Sequence, residues 1–197
     1  MKKTALLLAI VIGVSCNSNQ EDAKYKPNPK AIELNKQGML LYIDNKNDSV
    51  LIDSAISLLN KATKIDSNYY LGFLNKIPLL FQQKKFKELL LTTKKLQKLN
   101  PHNADHIMQE GLAFKKLGDN SKAIKLFQIA NQLSIKNFET DYNIDIGIQL
   151  ITSYLLLDKK NEAKKVLQDL KKDFPENEVL KLINIEELIK KLNITQA

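Results

Sequence analysis

The chain has 197 residues, 44% of them hydrophobic, enough to bury a sizeable core, and with 6 Gly, 5 Pro and no Trp its composition agrees with helices and speaks against a β-rich fold. Its formal charge is +8, yet all 30 basic residues are Lys. Proteins that read nucleic acids or phosphate lean on the planar fork of Arg, so this balance argues against a nucleic-acid partner.

Met1-Lys2-Lys3 is a short positive start, and Ala5 to Val14 is an apolar run of ten residues. A helix spanning a bilayer needs about twenty, so the run suits a secretory signal core. It closes on Gly13-Val14-Ser15-Cys16, and Cys16 is the only cysteine. That ending resembles a bacterial lipoprotein signal, in which a small residue precedes a Cys that is lipidated and becomes the mature amino terminus. Gly13 departs from the pattern, which favours Leu there. The resemblance implies a signal peptide over residues 1–15, lipidation at Cys16 and membrane anchorage by several acyl chains, which hold stably where one would not. Loss of Lys2 and Lys3 would leave a charge of +6. Residues 16–30, polar with Pro27 and Pro29, then read as a flexible tether. Asn17 rather than Asp after the Cys implies the outer membrane by analogy with lipoprotein sorting, facing the periplasm or exposed at the surface. Glu21-Asp22 is faintly similar to acidic surface-export signals.

From Ala31 onward small and apolar residues recur at helical spacing. Leu34, Gly38 and Leu41 are followed, past an insertion of about five residues near Asp44 to Ser49, by Ala55, Leu59 and Ala62. Phe73, Leu80, Leu89, Leu96 and Pro101 repeat the frame with larger residues in place of the small ones. Ile107, Glu110, Gly111, Phe114, Ala123, Phe127, Ala130 and Ile135 form the clearest copy, its two helices joined at Leu117-Gly118-Asp119. After about six inserted residues between Lys136 and Asn143, Leu150, Tyr154, Ala163, Leu167, Leu170 and Pro175 follow.

The clearest copy resembles the tetratricopeptide repeat, W-x2-L-G-x2-Y, then A-x3-F, then a late Pro, and departs from it at Glu110 and Ile135. The resemblance implies an all-α solenoid of stacked antiparallel helix pairs, with repeats at 31–69, 70–103, 104–137 and 144–177. Residues 178–197 would supply a capping helix, its apolar stripe of Val179, Leu182, Ile183, Ile185, Leu188, Ile189 and Leu192 covering the end of the stack.

Four local features carry further expectations. Pro78 removes an amide donor, so the first helix of the second repeat should kink or break near Lys76. Asp48-Ser49-Val50 and Asp53-Ser54-Ala55 resemble O-glycan acceptor sequences, but helix-start chemistry accounts for them more simply. His102 and His106 stand four apart, a spacing that clamps a metal when both lie on one helix face. With no HExxH pattern and no further His or Cys nearby, they read instead as exposed polar residues at a helix start, and neither metal nor cofactor is expected. Lys84 and Lys85, Lys115 and Lys116, Lys159 and Lys160 fall at the turns within successive repeats, where stacking would align them as a basic edge.

No Ser-His-Asp set, paired-carboxylate signature or Gly-rich phosphate loop supports catalysis, so a non-enzymatic chain is expected. Projecting the family's groove-lining pattern onto each copy names Asn35, Met39 and Tyr42, then Leu74 and Phe81, then Met108, Leu112, Lys115 and Lys116, then Ile148, Thr152 and Leu155. The set lacks the Lys and Asn residues that grip C-terminal carboxylates in chaperone-binding members. The expected function is a lipid-anchored interaction module or adaptor of the bacterial cell envelope that holds a peptide or protein segment in a concave groove. One rival is a metal-binding or enzymatic envelope protein using His102 and His106. Another, similar in architecture alone, is an assembly factor for outer-membrane β-barrel or secretin complexes.

Overall fold

The structure, a computed structural model, describes residues 25–192. The expected signal segment, Cys16, most of the tether and the end of the expected cap lie outside the described residues. Among the described residues there are ten helices and no strand: α1 (Pro29–Asp44), α2 (Ser49–Ile65), α3 (Tyr70–Gln82), α4 (Phe86–Leu99), α5 (Ala104–Lys116), α6 (Asn120–Thr140), α7 (Ile144–Leu156), α8 (Lys160–Asp173), α9 (Glu178–Leu182) and α10 (Ile185–Lys191). The fold is an all-α solenoid of helix pairs. No helix among the described residues is long and apolar enough to cross a membrane.

Two compact units divide the chain near Leu126, and α6 contributes to both. In the first unit Ile52, Ala55, Ile56 and Leu59 of α2 share a core with Ile77, Leu79 and Leu80 of α3 and Leu89 and Leu96 of α4. α1 crosses α2 closely at Gly38, where a Cβ would stand 3.1 Å from the Ala55 carbonyl oxygen and 3.2 Å from Leu59 Cγ. In the second unit Ile151 and Leu155 of α7 and Ala163, Leu167 and Leu170 of α8 form a core with Leu180, Ile183, Ile185 and Ile189.

Three hairpin turns close in the same way. After α3, Lys84 takes a left-handed φ of 54° and the Lys85 amide donates to the Leu80 carbonyl at 2.9 Å. After α5, Gly118 has φ 87° and the Asp119 amide donates to Phe114 at 2.9 Å. After α7, Asp158 has φ 58° and the Lys159 amide donates to Tyr154 at 2.9 Å. Each is a Schellman closure, which satisfies orphan carbonyls at the helix end and calls for one left-handed residue. Only one of the three turns places glycine there, where a side chain costs least.

The structure corrects three expectations and places the residues inserted after Lys136. The tether does not run to residue 30: the Tyr25 hydroxyl donates to Asp66 Oδ2 at 2.7 Å, the Asn28 amide donates to the same oxygen at 2.8 Å, and α1 has begun by Pro29. Of the kink or break expected near Lys76, the break does not occur: α3 continues through Pro78 to Gln82, and burial of Ile77, Leu79 and Leu80 outweighs one missing backbone bond. The residues inserted after Lys136 prolong α6 to Thr140, in a stretch that carries neither Pro nor Gly to stop it. The single capping helix is two, broken at Ile183-Asn184, because the Asn184 side chain accepts the amides of Glu186 and Glu187 and starts a new helix. That break turns both Ile183 and Ile185 into the core and leaves Leu182 exposed.

Candidate interaction surface

The first unit presents three first helices, α1, α3 and α5, tied to one another by side-chain bonds. Asn75 Nδ2 of α3 donates to Asn35 Oδ1 of α1 at 3.0 Å, a buried bond, and Tyr42 Oη donates to Gln82 Oε1 at 3.1 Å nearer the other end of the pair. The Tyr70 hydroxyl of α3 lies 2.8 Å from His106 Nε2 of α5. A buried polar pair between helices fixes register, since a slip would leave its members unsatisfied.

On α1 the residues one or two turns from Asn35 on its stripe are Ile32, Met39, Tyr42 and Ile43; on α3 the matching stripe is Leu71, Leu74, Pro78 and Phe81; on α5 it is Met108, Leu112, Lys115 and Lys116. Met39, Tyr42, Leu74 and Phe81 are half-buried with their inner atoms against the core, and Phe81 is braced edge-on by Phe86 at 6.2 Å between ring centroids. Leu112 and Lys115 are also half-buried, and Lys116 is exposed. Three sequence-expected groove residues are interior instead: Asn35 is spent on Asn75, Met108 is 3% exposed and Leu155 is 1% exposed. Helical spacing puts them on the stripe, but depth depends on neighbours that spacing does not reveal. Conversely Ile32, Ile43 and Leu71, which the projection omits, are exposed at 44%, 52% and 45%. Their place three or four residues from projected positions was the available signal.

In the second unit Ile148 is half-buried against the α7–α10 core, and the Thr152 hydroxyl is turned inward along its own helix to donate to the Ile148 carbonyl at 2.9 Å.

The charged candidates sort differently. Lys85 pairs with Asp53 at 2.9 Å and Lys160 with Asp158 at 3.4 Å, while Lys159 stands 5.9 Å from the Tyr154 ring centroid. Lys76 of α3 is buried, its Nζ 3.4 Å from Glu88 Oε1 of α4, which also accepts from Asn60 Nδ2 of α2 at 3.0 Å. Burial holds Lys76 below its ordinary pKa, with the Glu88 carboxylate opposing.

The histidines do not form a metal-binding pair. His102 precedes α5 in an exposed turn, but His106 is not the exposed residue that the sequence suggested: it lies inside the helix and is 1% exposed, so the two lack the shared helix face that the spacing needs. Burial pushes His106 down to about 4, with the Gln109 amide opposing. Among the described residues no three His, Cys, Asp or Glu side chains gather to hold a metal ion. The Asp-Ser triplets also find structural uses: the Asp48 carboxylate accepts the amides of Val50 and Leu51, Ser49 bonds Gln83, and Ser54 bonds the Val50 carbonyl.

Residues 149–177, from within α7 to just before α9, match the tetratricopeptide repeat family. The chain carries a tetratricopeptide repeat. Tetratricopeptide repeats generally bind protein partners and are typically non-enzymatic scaffolds, so protein–protein interaction is the class of function this fold supports. Among solved structures the chain is similar to a "MamA RS-1 ArsTM double mutant", at 17% identity over 84% of this chain and 78% of that one, with a TM-score of 0.48. It is also similar to a MamA protein crystal structure, at 18% identity over 73% of this chain and 76% of that one, with a TM-score of 0.48. No curated protein matches the chain.

Proposed function

We propose that the chain is a lipid-anchored, non-enzymatic tetratricopeptide adaptor of the bacterial cell envelope. Cys16 is its lipid attachment point, and the first helices of its repeats hold a peptide or protein segment of a partner. The observation that carries the binding half is the run of accessible apolar side chains on α1 and α3, from Ile32, Met39 and Ile43 to Leu71, Leu74 and Phe81. Contiguous apolar surface rimmed by polar residues costs solubility unless something covers it. The anchoring half rests on the positive start, the ten-residue apolar run and the lone cysteine that closes it. Asn17 rather than Asp after the cysteine supports the outer membrane as its location by analogy with lipoprotein sorting, facing the periplasm or exposed at the surface.

One experiment tests both halves. A photocrosslinker placed at Phe81 in cells, with the membranes purified in native form, should capture a specific companion, and the Cys16→Ala form should lose both membrane association and the companion. Crosslinking that yields only random neighbours refutes the adaptor. An unacylated mature terminus by mass spectrometry refutes the anchor.

A further inference from the structure

α4 differs from the other second helices in what it turns away from the core. Its Leu89, Thr92, Thr93 and Leu96 are buried, while Lys87, Leu91, Lys94 and Lys98 are exposed, Leu91 at 71%. At 3.6 residues per turn those four positions fall within about 60° of one helix face and run about 16 Å along it. Two residues beyond Ala55, Ala123 and Ala163 the matching places hold Ser57, Lys125 and Lys165, so α4 alone of the second helices sets an apolar side chain there. Acids are scarce around this stripe. From Val50 to Asn100 the acids are Asp53, Asp66 and Glu88. Asp53 pairs with Lys85 at 2.9 Å, Asp66 accepts from Tyr25 and Asn28, and Glu88 is turned to buried Lys76 and to Asn60. On α5, which packs against α4, Glu110 is buried and accepts from Gln97, leaving Asp105, half-buried, as the acid that is partly open. Lys87, Lys94 and Lys98 make no ion pair among the described residues. α8, by contrast, intersperses Glu162, Asp169 and Asp173 among its lysines.

We infer that the outer face of α4 lies on an anionic phospholipid surface, with Lys87, Lys94 and Lys98 at the headgroup phosphates and Leu91 inserted between them. Lysines on such a face keep their ammonium groups at the headgroups while their stems and the leucine sink toward the acyl boundary. A protein interface wants a buried apolar centre of many side chains, and this stripe offers one leucine among lysines, which suits a lipid surface better. The inference rests on the anchoring half of the proposed function for proximity, and adds a second contact that fixes which side of the first unit faces the bilayer. Asp53 meets Lys85 and Asn60 meets Glu88, so α2 and α4 run side by side in the same sense. The Tyr25 strap on Asp66, at the end of α2, therefore lies on the side where α4 ends near Lys98. Cys16 precedes Tyr25 by nine residues, at most about 30 Å of chain, which exceeds the roughly 21 Å length of α4. An acyl group at Cys16 thus leaves the whole α4 face within reach of the same membrane.

The test uses the full chain as Cys16→Ala, so that acylation is absent, and phosphatidylcholine vesicles with or without about one third phosphatidylglycerol. Binding to the anionic vesicles should be at least about tenfold tighter than to the neutral ones at low salt, and the gap should close as salt rises. Lys87→Gln with Lys94→Gln and Lys98→Gln should remove most of that gap. Lys125→Gln with Lys165→Gln and Lys172→Gln takes the same charge from exposed positions on α6 and α8 and should remove little of it. The apolar run ahead of Cys16 is common to all these forms, so differences between them report α4. Leu91→Ser should weaken binding to the anionic vesicles by about threefold or more. A polarity-sensitive dye on Leu91→Cys, the lone thiol in the Cys16→Ala form, should shift to the blue on anionic vesicles and stay unshifted on neutral ones. Equal losses from the two lysine sets, or binding that ignores lipid charge, overturns the inference. So does a dye that stays in water while crosslinks from the same thiol in native membranes run to one acidic protein, an outcome that gives the face to a protein instead. Mass spectrometry of the native mature terminus reads the acyl anchor by itself, so the anchor and the α4 contact stand or fall separately.

Discussion

The α3–α4 hairpin and the α7–α8 hairpin share a turn but fill their interiors with different chemistry. Both close on a left-handed residue and a bond five residues back, at Lys84 and Lys85 in one and Asp158 and Lys159 in the other. Where α8 places Ala163, α4 places the fully buried Leu89, and α3–α4 also encloses Lys76 against Glu88 together with Thr92 and Thr93. The family match covers α8 and most of α7 and does not reach α3–α4. The hairpin geometry thus survives exchange of its small residues, provided the turn closes and the total volume is kept.

The strongest way to break this comparison is to exchange the two fillings. Leu89→Ala should open a cavity and cost about 2 to 5 kcal/mol in urea melts. Ala163→Leu, at the equivalent place, should overpack and cost about 1 to 3 kcal/mol. Two silent variants would mean that the positions are not equivalent, and the repeat register would fail with them.

A second difference lies in what each unit buries. The first holds His106 in its interior with a pKa near 4, below the ordinary 6.5. Between those values the unfolded chain binds the extra proton and the folded one does not, so stability falls as pH drops through that window. The wild type should lose about 2 to 3 kcal/mol more than His106→Gln between pH 7 and pH 4.5. Asp66, whose pKa is lowered from 3.8 by the bonds from Asn28, Tyr25, Asn68 and Tyr69 against an opposing burial effect, contributes only at still lower pH. Equal losses in wild type and variant would show that the histidine is hydrated in solution.

These particulars show how much of the molecule could be read from the chain alone. The repeat frame was legible because Gly38, Ala55, Ala123 and Ala163 mark close contacts at fixed spacing, and close contacts are what a helical hairpin demands of its sequence. The candidate surface was legible in outline and not in depth: Tyr42, Leu74 and Phe81 are accessible while Asn35, Met108 and Leu155 on matching stripes are closed off. The Tyr25 strap was not legible, since its partner Asp66 is 41 residues away and nothing local marks it. Asn184 was legible and overlooked: an Asn followed by two Glu is a helix start even inside an apolar stripe.

The turns themselves sharpen the comparison at smaller scale. A left-handed residue other than Gly costs about 1 to 2 kcal/mol, and Gly gives back about 0.5 to 1 of that through the freedom it has when unfolded. Lys84→Gly and Asp158→Gly should therefore each stabilise by about 0.5 to 1 kcal/mol, and Gly118→Ala should destabilise by a similar amount. The alanine would meet no atom within 4 Å, so its cost is conformational and not steric. Asp158→Gly also removes the carboxylate 3.4 Å from Lys160, a surface pair worth little, so its gain should be slightly smaller than that of Lys84→Gly.

The smallest effect concerns a contact that both units make. Tyr142, just before α7, donates to Asp173 Oδ2 at 2.6 Å, as Tyr25, just before α1, donates to Asp66. In each case a tyrosine ahead of a first helix is bonded to an aspartate at the end of the second helix of the same pair, closing the hairpin's open end. The Tyr142 ring is also held, 4.8 Å from Phe138 and 6.0 Å from Phe174 between centroids, while no ring contact is recorded for Tyr25 among the described residues. Removing only the hydroxyl should therefore matter more at the first site. Tyr25→Phe should release the segment before α1, seen as faster amide exchange at Asn28 and Lys30, with a stability loss below about 1 kcal/mol. Tyr142→Phe should leave its ring in place and exchange at Asn143 nearly unchanged; equal release at both sites would show that the aromatic contacts do not hold the second latch.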